Sequence, residues 1–255
     1  MNPNPRQLTL LAFVQSQGSV TVEQLAEKLG VTLQTVRRDV QRLADIGFLT
    51  RFHGGVRVPS SAVENIGRQQ RENLNKAGKQ RIARAIADNV PNDCSLILNI
   101  GTTTECVAAA LLHHCGLRVI TNNLNVATTL SANPSCEVIV VGGVVRGRDQ
   151  GIVGEAAVDF IRQFQVDIAI IGISAIESDG SLRDFDYREV KVSQVILTHA
   201  REVWLAADAS KFNRPAMVEV GRLSQIDRLF TDAQPPDPFP ALLREAKVRC
   251  DVSLA

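Results

Sequence analysis

The chain has 255 residues, and at ~150 residues per domain that length favours two units. Hydrophobic residues make up 45% and charged residues 22%, a globular composition that excludes a disordered or fibrous chain. No run nears the ~18–20 apolar residues that a membrane span needs.

The net charge of +1 is unevenly spread. Residues 1–58 carry seven Lys/Arg against four Asp/Glu and residues 59–90 carry six against three, while 91–255 carry 15 against 20. A basic front on an acidic body points to a polyanion that meets the front alone.

Asn4-Pro5 places a capping residue before a proline suited to the first helical position. Leu8, Leu11 and Val14, with Leu10 beside them, then repeat at helical spacing up to Gly18. This apolar stretch follows a single basic residue and precedes Gln15-Ser16-Gln17, which is no small-residue cleavage site, so the chain is expected to be cytoplasmic and unprocessed. Thr21-Val22-Glu23-Gln24 has capping-box form and opens a second helix with Val22, Leu25, Ala26 and Leu29 on one side. Gly30-Val31 makes a tight turn, and Thr32 caps a third helix running to about Ile46. Three short helices with so tight a turn between the second and third form a helix-turn-helix.

On the third helix Leu33, Val36, Val40, Leu43 and Ala44 share one side, and Gln34, Arg37, Arg38 and Gln41 lie opposite. The forked donors of Arg and Gln match guanine and adenine edges in the major groove. Thr35 and Arg42 lie at the flank, where phosphate contact is expected. Asp39, beside the core side, is expected to orient a nearby Arg. Two β-prone runs then flank Gly54-Gly55 and predict a hairpin, a wing whose Arg51 and Arg57 meet the DNA backbone; His53 is read as a turn residue. Residues 59–75 are polar and without clear period, which predicts a linker.

A helix with Ile82, Ala83, Ile86 and Val90 on one face opens a second unit, 76–255. Strands are predicted at Ser95–Ile100, Leu117–Thr121, Glu137–Val141, Asp167–Ile173, Glu202–Ala207, Arg228–Thr231 and near Val248–Val252. Helical patterns lie at 103–113, 124–131, 155–164, 187–199 and 240–247. This alternation predicts an α/β fold, a mainly parallel sheet with helices on both faces. The loops after the strands then share one edge, where ligands of such folds bind. They hold Gly101-Thr102-Thr103-Thr104, Asn122-Asn123, Gly142-Gly143, Ser174 and Asp208-Ala209-Ser210-Lys211. Loops of this kind use Gly, Thr, Ser and Asn simply to turn and cap. Several converging, one of them with a lysine, favour a small phosphorylated ligand: Gly-Thr-Thr-Thr offers N–H groups at a helix N-terminus and Lys211 a point charge. Asp184, Asp186 and Asp208 are candidates to accept the ligand's hydroxyls.

The five cysteines (Cys94, Cys106, Cys115, Cys136 and Cys250) form no C-x-x-C pair and have no histidine at ligand spacing. Neither a disulfide framework nor a metal site is expected, and no cofactor.

The string Arg6-x3-Leu10-x3-Val14, seventeen residues, then Thr32-x2-Thr35-Val36-Arg37-Arg38-Asp39-Val40 resembles the signature of the DeoR family of bacterial transcriptional regulators, with every position filled. That resemblance implies a winged helix-turn-helix DNA-binding domain at 1–58 and an effector domain at 76–255 of the ribose-5-phosphate isomerase-like type. Further strings carry the likeness to about Pro236: Thr121-Asn122-Asn123-Leu124-Asn125-Val126-Ala127, Gly151-Ile152-Val153-Gly154-Glu155-Ala156, Asp179-Gly180-Ser181-Leu182 with Phe185-Asp186-Tyr187, and Ser210-Lys211-Phe212. These are most similar to family members that answer to glycerol 3-phosphate. The resemblance thus implies a repressor of glycerol-metabolism genes, acting as a homo-oligomer on double-stranded operator DNA and released by that effector. It also implies effector contacts from the glycine-threonine loop, Asn122, Asp208 and Lys211. Asn99 stands where the family pattern has aspartate, and no role is assigned to it. Two other readings stay open. One is a family member answering to another sugar phosphate. The other is an isomerase-like enzyme with Glu155, Asp186 or Glu189 as base, for which no spacing enforces the geometry proton abstraction needs; a non-enzyme is expected.

Overall fold

The computed structural model describes residues 4–17, 19–45, 48–52, 54–57 and 67–254. Gly18, Ile46, Gly47, His53, Val58 and the first part of the expected linker, 59–66, lie outside them. The chain divides into two compact units, Met1–Leu74 and Asn75–Ala255.

The first unit comprises α1 (Pro5–Gln17), β1 (Ser19–Thr21), α2 (Val22–Leu29), α3 (Leu33–Asp45), β2 (Thr50–Phe52), β3 (Gly55–Arg57) and α4 (Arg68–Asn73). Thr21 caps α2 through its hydroxyl, which accepts Gln24 N–H at 3.2 Å, and Gln24 returns the bond to Thr21 N–H at 2.9 Å. Gly30 ends that helix at φ 63°, a left-handed conformation that glycine adopts without steric cost. Thr32 Oγ1 then accepts Thr35 N–H at 3.3 Å and starts α3. Leu10, Val14, Leu25, Val36, Val40, Leu43 and Val56 form the core.

Two positions differ from the sequence expectation. On α1 the inward face is Gln7, Leu10, Leu11 and Val14, while Leu8 is exposed; Gln7 takes the place because its amide bonds Asp39. On α3 Leu33 is exposed, because it occupies the first helical position and the core it faces begins a turn further on, at Val36. The wing hairpin forms as expected, with β1 as a third strand against β3. Three residues are too few for β1 to show a period. Arg68–Asn73, within the stretch expected to be a linker, is helical.

The second unit begins with α5 (Lys76–Ala87). Then follow β4 (Ser95–Leu98), α6 (Thr102–Ala110), β5 (Leu117–Thr121), α7 (Leu124–Leu130) and β6 (Cys136–Val140). A hairpin, β7 (Val144–Arg146) and β8 (Gly151–Val153), leads to α8 (Glu155–Ile161) and β9 (Val166–Gly172). Next come β10 (Ala175–Ile176), β11 (Ser181–Asp184), α9 (Tyr187–Thr198), β12 (Ala200–Ala206), β13 (Val218–Arg222), β14 (Arg228–Thr231), α10 (Phe239–Glu245) and β15 (Arg249–Val252).

Seven strands form one sheet in the order β15-β14-β12-β9-β4-β5-β6, every neighbouring pair parallel. Its two faces follow from strand alternation. Leu96, Leu98, Ile168 and Ile170 pack with α5, α6 and α7, whereas Ile97, Ala169 and Ile171 pack with α8, α9 and α10. From β4 the chain steps outward to β5 and β6, then crosses back to β9 and continues to β12, β14 and β15. The winding direction therefore reverses between β4 and β9, and at such a reversal the loops leaving the two strands diverge and open a crevice. The hairpin β7–β8 and a small antiparallel sheet, β10-β11-β13, were not among the predicted strands.

Candidate nucleic-acid interface and ligand site

The first unit presents Gln34, Arg37, Arg38, Gln41 and Arg42 as exposed residues of α3, with Arg51 and Arg57 exposed on the wing. A groove of about 290 Å³ runs between α2, α3 and the wing, and Arg37, Gln41 and Arg51 line it. Gln41 is held there: its amide donates to Asp45 at 2.6 Å and its carbonyl oxygen accepts from Arg51. Thr35 is half-buried, its hydroxyl 3.0 Å from that of Thr32. Behind this face Asp39 is buried, receiving Arg6 Nε at 2.7 Å and Gln7 Nε2 at 2.8 Å. Burial acts to raise its carboxyl, but the bonds from Arg6 and Gln7 and the charges of Arg6 and Arg42 outweigh that and hold it below the ordinary value. Asp39 is thus the orienting partner expected of it, and the arginine it holds comes from α1.

In the second unit the expected ligand residues sit at the ends of adjacent strands. Ser174 follows β9, Gly101–Thr104 follow β4 and Asn122 follows β5. Asp208 and Lys211 follow β12, the neighbour of β9. With strands ~4.8 Å apart, these four ends span roughly 15 Å.

Gly101 occupies the N-cap of α6 and supplies no side-chain cap, so the leading N–H groups, which have no intrahelical acceptor, are available to an anion. Thr102, Thr103 and Thr104 are buried. The Thr104 hydroxyl lies 2.8 Å from both Asn99 O and Gly101 O, to which it donates, and so braces the loop. Asn99 bridges β4 and β9: Gly172 N–H donates to its Oδ1 at 2.8 Å and its Nδ2 donates to Gly172 O at 3.3 Å. Gly142 is exposed beyond the edge strand β6, where a methyl group in place of its hydrogen would have no described residue within 4 Å.

Three buried side-chain oxygens at this edge have no hydrogen-bond partner among the described residues: Asn122 Oδ1, Asp208 Oδ2 and Thr231 Oγ1. Such orphans are uncommon in folded proteins. All three stand at or just past the C-terminal ends of parallel strands, β5, β12 and β14.

Two lysines balance the charge of Asp208. Lys211 and Lys79 are both buried. Burial acts to raise the Asp208 carboxyl, yet Lys211, Lys79 and the bonds from Ser210 hold it below the ordinary value. Lys79 was not singled out from the sequence. The signal was present, since Lys79 falls three and four residues before Ile82 and Ala83 on the buried stripe of α5.

Asp186 caps α9 and is engaged by arginines. Arg188 N–H donates to it at 2.9 Å, and Arg146 reaches it at 2.9 Å. Burial opposes the shift, but these bonds lower its carboxyl to about 2. Arg146 also meets Asp149 at 2.6 Å and Glu189 at 2.5 Å. One guanidinium thus serves three carboxylates. Burial, then the charge of Asp184, push Glu189 up to about 8 despite Arg146. Glu155 is exposed and pairs with Lys191 at 2.8 Å. None of the three carboxylates weighed as a catalytic base is left free of a cationic partner.

Residues 6–62 match the DeoR-like helix-turn-helix domain, and residues 74–233 match the DeoR C terminal sensor domain. The chain belongs to the DeoR family. It is 44% identical to the glycerol-3-phosphate regulon repressor of Escherichia coli (strain K12), over 99% of this chain and 100% of that one. It is 43% identical to the glycerol-3-phosphate regulon repressor of Haemophilus influenzae, over 98% and 96%. The HTH-type transcriptional repressor CsqR of Escherichia coli (strain K12) is 42% identical, over 96% and 94%. Among solved structures, ribose 5-phosphate isomerase A from Methanocaldococcus jannaschii is a distant likeness. It is 14% identical over 54% of this DeoR-family chain and 55% of that one, with a TM-score of 0.41. No described helix of the DeoR-family chain is long and apolar enough to cross a membrane.

Proposed function

We propose that this chain is a cytoplasmic transcriptional repressor that holds operator DNA through its first 58 residues and releases it when glycerol 3-phosphate binds the unit spanning 76–255. Gln34, Arg37, Arg38 and Gln41 read bases in the major groove, and Thr35, Arg42, Arg51 and Arg57 fix the backbone. A homo-oligomer, dimer or tetramer, sets two such heads on a roughly palindromic site.

The observation that carries the ligand reading is the set of orphaned oxygens beside two buried lysines at the strand ends. A polyol phosphate answers both halves. Its phosphate meets Lys211, Lys79 and the N-terminus of α6, while its hydroxyls donate to Asn122 Oδ1 and Asp208 Oδ2. The names of two relatives favour glycerol 3-phosphate among such compounds. A repressor with another name at 42% identity, against 44%, keeps a different sugar phosphate as the second reading. The role is binding and not catalysis, because Glu155, Asp186 and Glu189 are each held by a cation.

The test is to select duplexes from a random-sequence pool with the protein and measure their affinity by fluorescence anisotropy. Saturating glycerol 3-phosphate is expected to weaken binding by about 5- to 150-fold, the usual size of allosteric coupling. Release by another phosphorylated C3 to C6 compound instead selects the second reading. Release by none of them overturns the ligand site.

A further inference from the structure

The network around Asp232 joins the ligand loop to the residue at which the second unit begins. Asp232 follows β14 directly and is buried. Its two carboxylate oxygens are divided between two places. Oδ1 accepts the Ala209 N–H at 2.8 Å, and Oδ2 accepts Asn75 Nδ2–H at 2.7 Å. Arg81 Nη2 faces Oδ2 at 3.7 Å.

Ala209 lies within the turn Asp208–Lys211, between Asp208, whose Oδ2 has no hydrogen-bond partner among the described residues, and the buried Lys211. Asn75 is the first residue of the second unit, whereas Leu74 packs on the core of the first. The Asn75 backbone is left-handed, at φ 50° and ψ 43°, and its side chain makes no cap bond to α5. That conformation is one asparagine tolerates better than most residues. Its side chain is spent on Asp232.

Gly78 lets this happen. A methyl group there would stand 2.2 Å from Asp232 Oδ2 and 2.6 Å from Asn75 Nδ2, so only a bare Cα leaves room for the pair.

We infer that Asp232 is a positioning residue that couples the effector loop to the start of the second unit, the point at which the chain comes in from the DNA-binding head. The inference rests on the ligand reading above. A ligand that engages Asp208 and Lys211 moves the Ala209 N–H relative to Asp232. One rigid carboxylate cannot follow Ala209 without changing its hold on Asn75, and Asn75 sets the backbone direction at the boundary. Coupling needs such an element with two arrangements that both sites bias.

The experiment compares operator affinity of the full chain without and with saturating glycerol 3-phosphate, and measures glycerol 3-phosphate binding alongside by calorimetry. Asp232→Asn keeps an oxygen for Ala209 but turns a second amide donor toward Asn75. It is expected to bind operator and glycerol 3-phosphate as wild type does, with the ligand-induced change in operator affinity reduced about fivefold, the worth of one lost hydrogen bond. Asn75→Asp sets two carboxylates against each other and is expected to show the same loss. Combining Asn75→Asp with Asp232→Asn restores a donor facing an acceptor and is expected to recover the change, whereas a merely structural role for Asp232 predicts that the single variants lose operator and glycerol 3-phosphate binding along with the response. Asn75→Ala, which removes the bond at the boundary and adds strain to the left-handed Asn75 backbone, serves if the Asp232 variant fails to fold.

A wild-type response in Asp232→Asn or Asn75→Ala overturns the inference while the ligand reading stands. So does a lack of recovery in the double variant, or loss of glycerol 3-phosphate binding in both single variants. A wild-type protein unmoved by glycerol 3-phosphate overturns the reading, and the inference falls with it.

Discussion

Asp39 of α3 holds Arg6 of α1 at 2.7 Å with its side chain only 3% exposed, and Gln7 shares the same carboxylate. The helix proposed to read DNA is therefore anchored to α1 through a buried carboxylate. Asp39→Ala leaves the Gln7 amide without its acceptor inside the unit and is expected to cost about 2 kcal/mol. The carboxyl is held below its ordinary value of 3.8 in the folded chain. Its contribution is thus present above that value and is lost as pH falls through the folded one. Protection of α1 and α3 amides, taken relative to their intrinsic exchange rate at each pH, is expected to be level from pH 7 to 5 in wild type and to fall below pH 4. In Asp39→Ala protection is lower throughout, and the acid step is smaller. An equal acid step in both proteins contradicts the assignment.

The two units are expected to fail separately. Arg37→Ala removes an exposed guanidinium proposed to read bases, without touching the core, and is expected to weaken specific DNA binding by about 1–3 kcal/mol. Stabilisation by glycerol 3-phosphate, read as a shift in melting temperature, is expected to persist. Lys211→Ala removes one of two buried cations from the strand-end site and is expected to do the reverse, leaving a repressor that binds operator and cannot be induced. Loss of both activities in both variants contradicts the division of labour.

Much of this was legible in the sequence where the signal is local. Leu96, Ile97 and Leu98 form a short apolar run bounded by polar residues, and Gly101–Thr104 follow two residues later, so strand and loop both stand out. The turn at Gly30 and the α3 faces are local in the same sense. Groups defined by distant partners did not stand out. Arg146 is one basic residue in a polar loop until the fold brings Glu189 to 2.5 Å across 43 positions of chain. Lys79 reads as the polar end of an amphipathic helix until β12 delivers Asp208. The two-residue strand Ala175–Ile176 and the charged Val218–Arg222 carry no period long enough to read. Their pairing is set by β11, which lies between them.

Arg146 and Glu189 yield a prediction in stability. Arg146 is the guanidinium that Asp149, Asp186 and Glu189 share. Arg146→Met strands the carboxylates of Asp149 and Asp186 and leaves the Glu189 carboxyl without its guanidinium in a largely buried place, and is expected to cost about 3–5 kcal/mol at pH 7. Glu189, raised from 4.5 to about 8, contributes stability that is complete below pH 4.5 and is lost as pH rises through 8. Urea unfolding followed by the buried Trp204 is expected to show wild type weakening from pH 5 to 9 and Glu189→Gln holding level. A decline of the same size in Glu189→Gln contradicts the assignment.

Asn99 carries the last prediction. Its amide both donates to and accepts from Gly172, which joins β4 to β9 where the sheet reverses its winding. An aspartate, the residue the family pattern leads one to expect, keeps the acceptor for Gly172 N–H but sets a second oxygen against Gly172 O. The positive end of α6 favours a negative charge nearby by roughly 0.3–1 kcal/mol, less than the ~1–3 kcal/mol of a buried polar group left unmatched. Asn99→Asp is therefore expected to lose about 1–2 kcal/mol at pH 8. At pH 5 the loss is smaller, because a buried carboxyl facing a carbonyl is raised and, once protonated, donates as the amide did. The added charge also opposes a phosphate at the Gly101–Thr103 N–H groups, so calorimetry is expected to show weaker glycerol 3-phosphate binding at pH 8. Stability and binding both unchanged in Asn99→Asp would mean that the crevice between β4 and β9 tolerates a buried charge, which its geometry argues against.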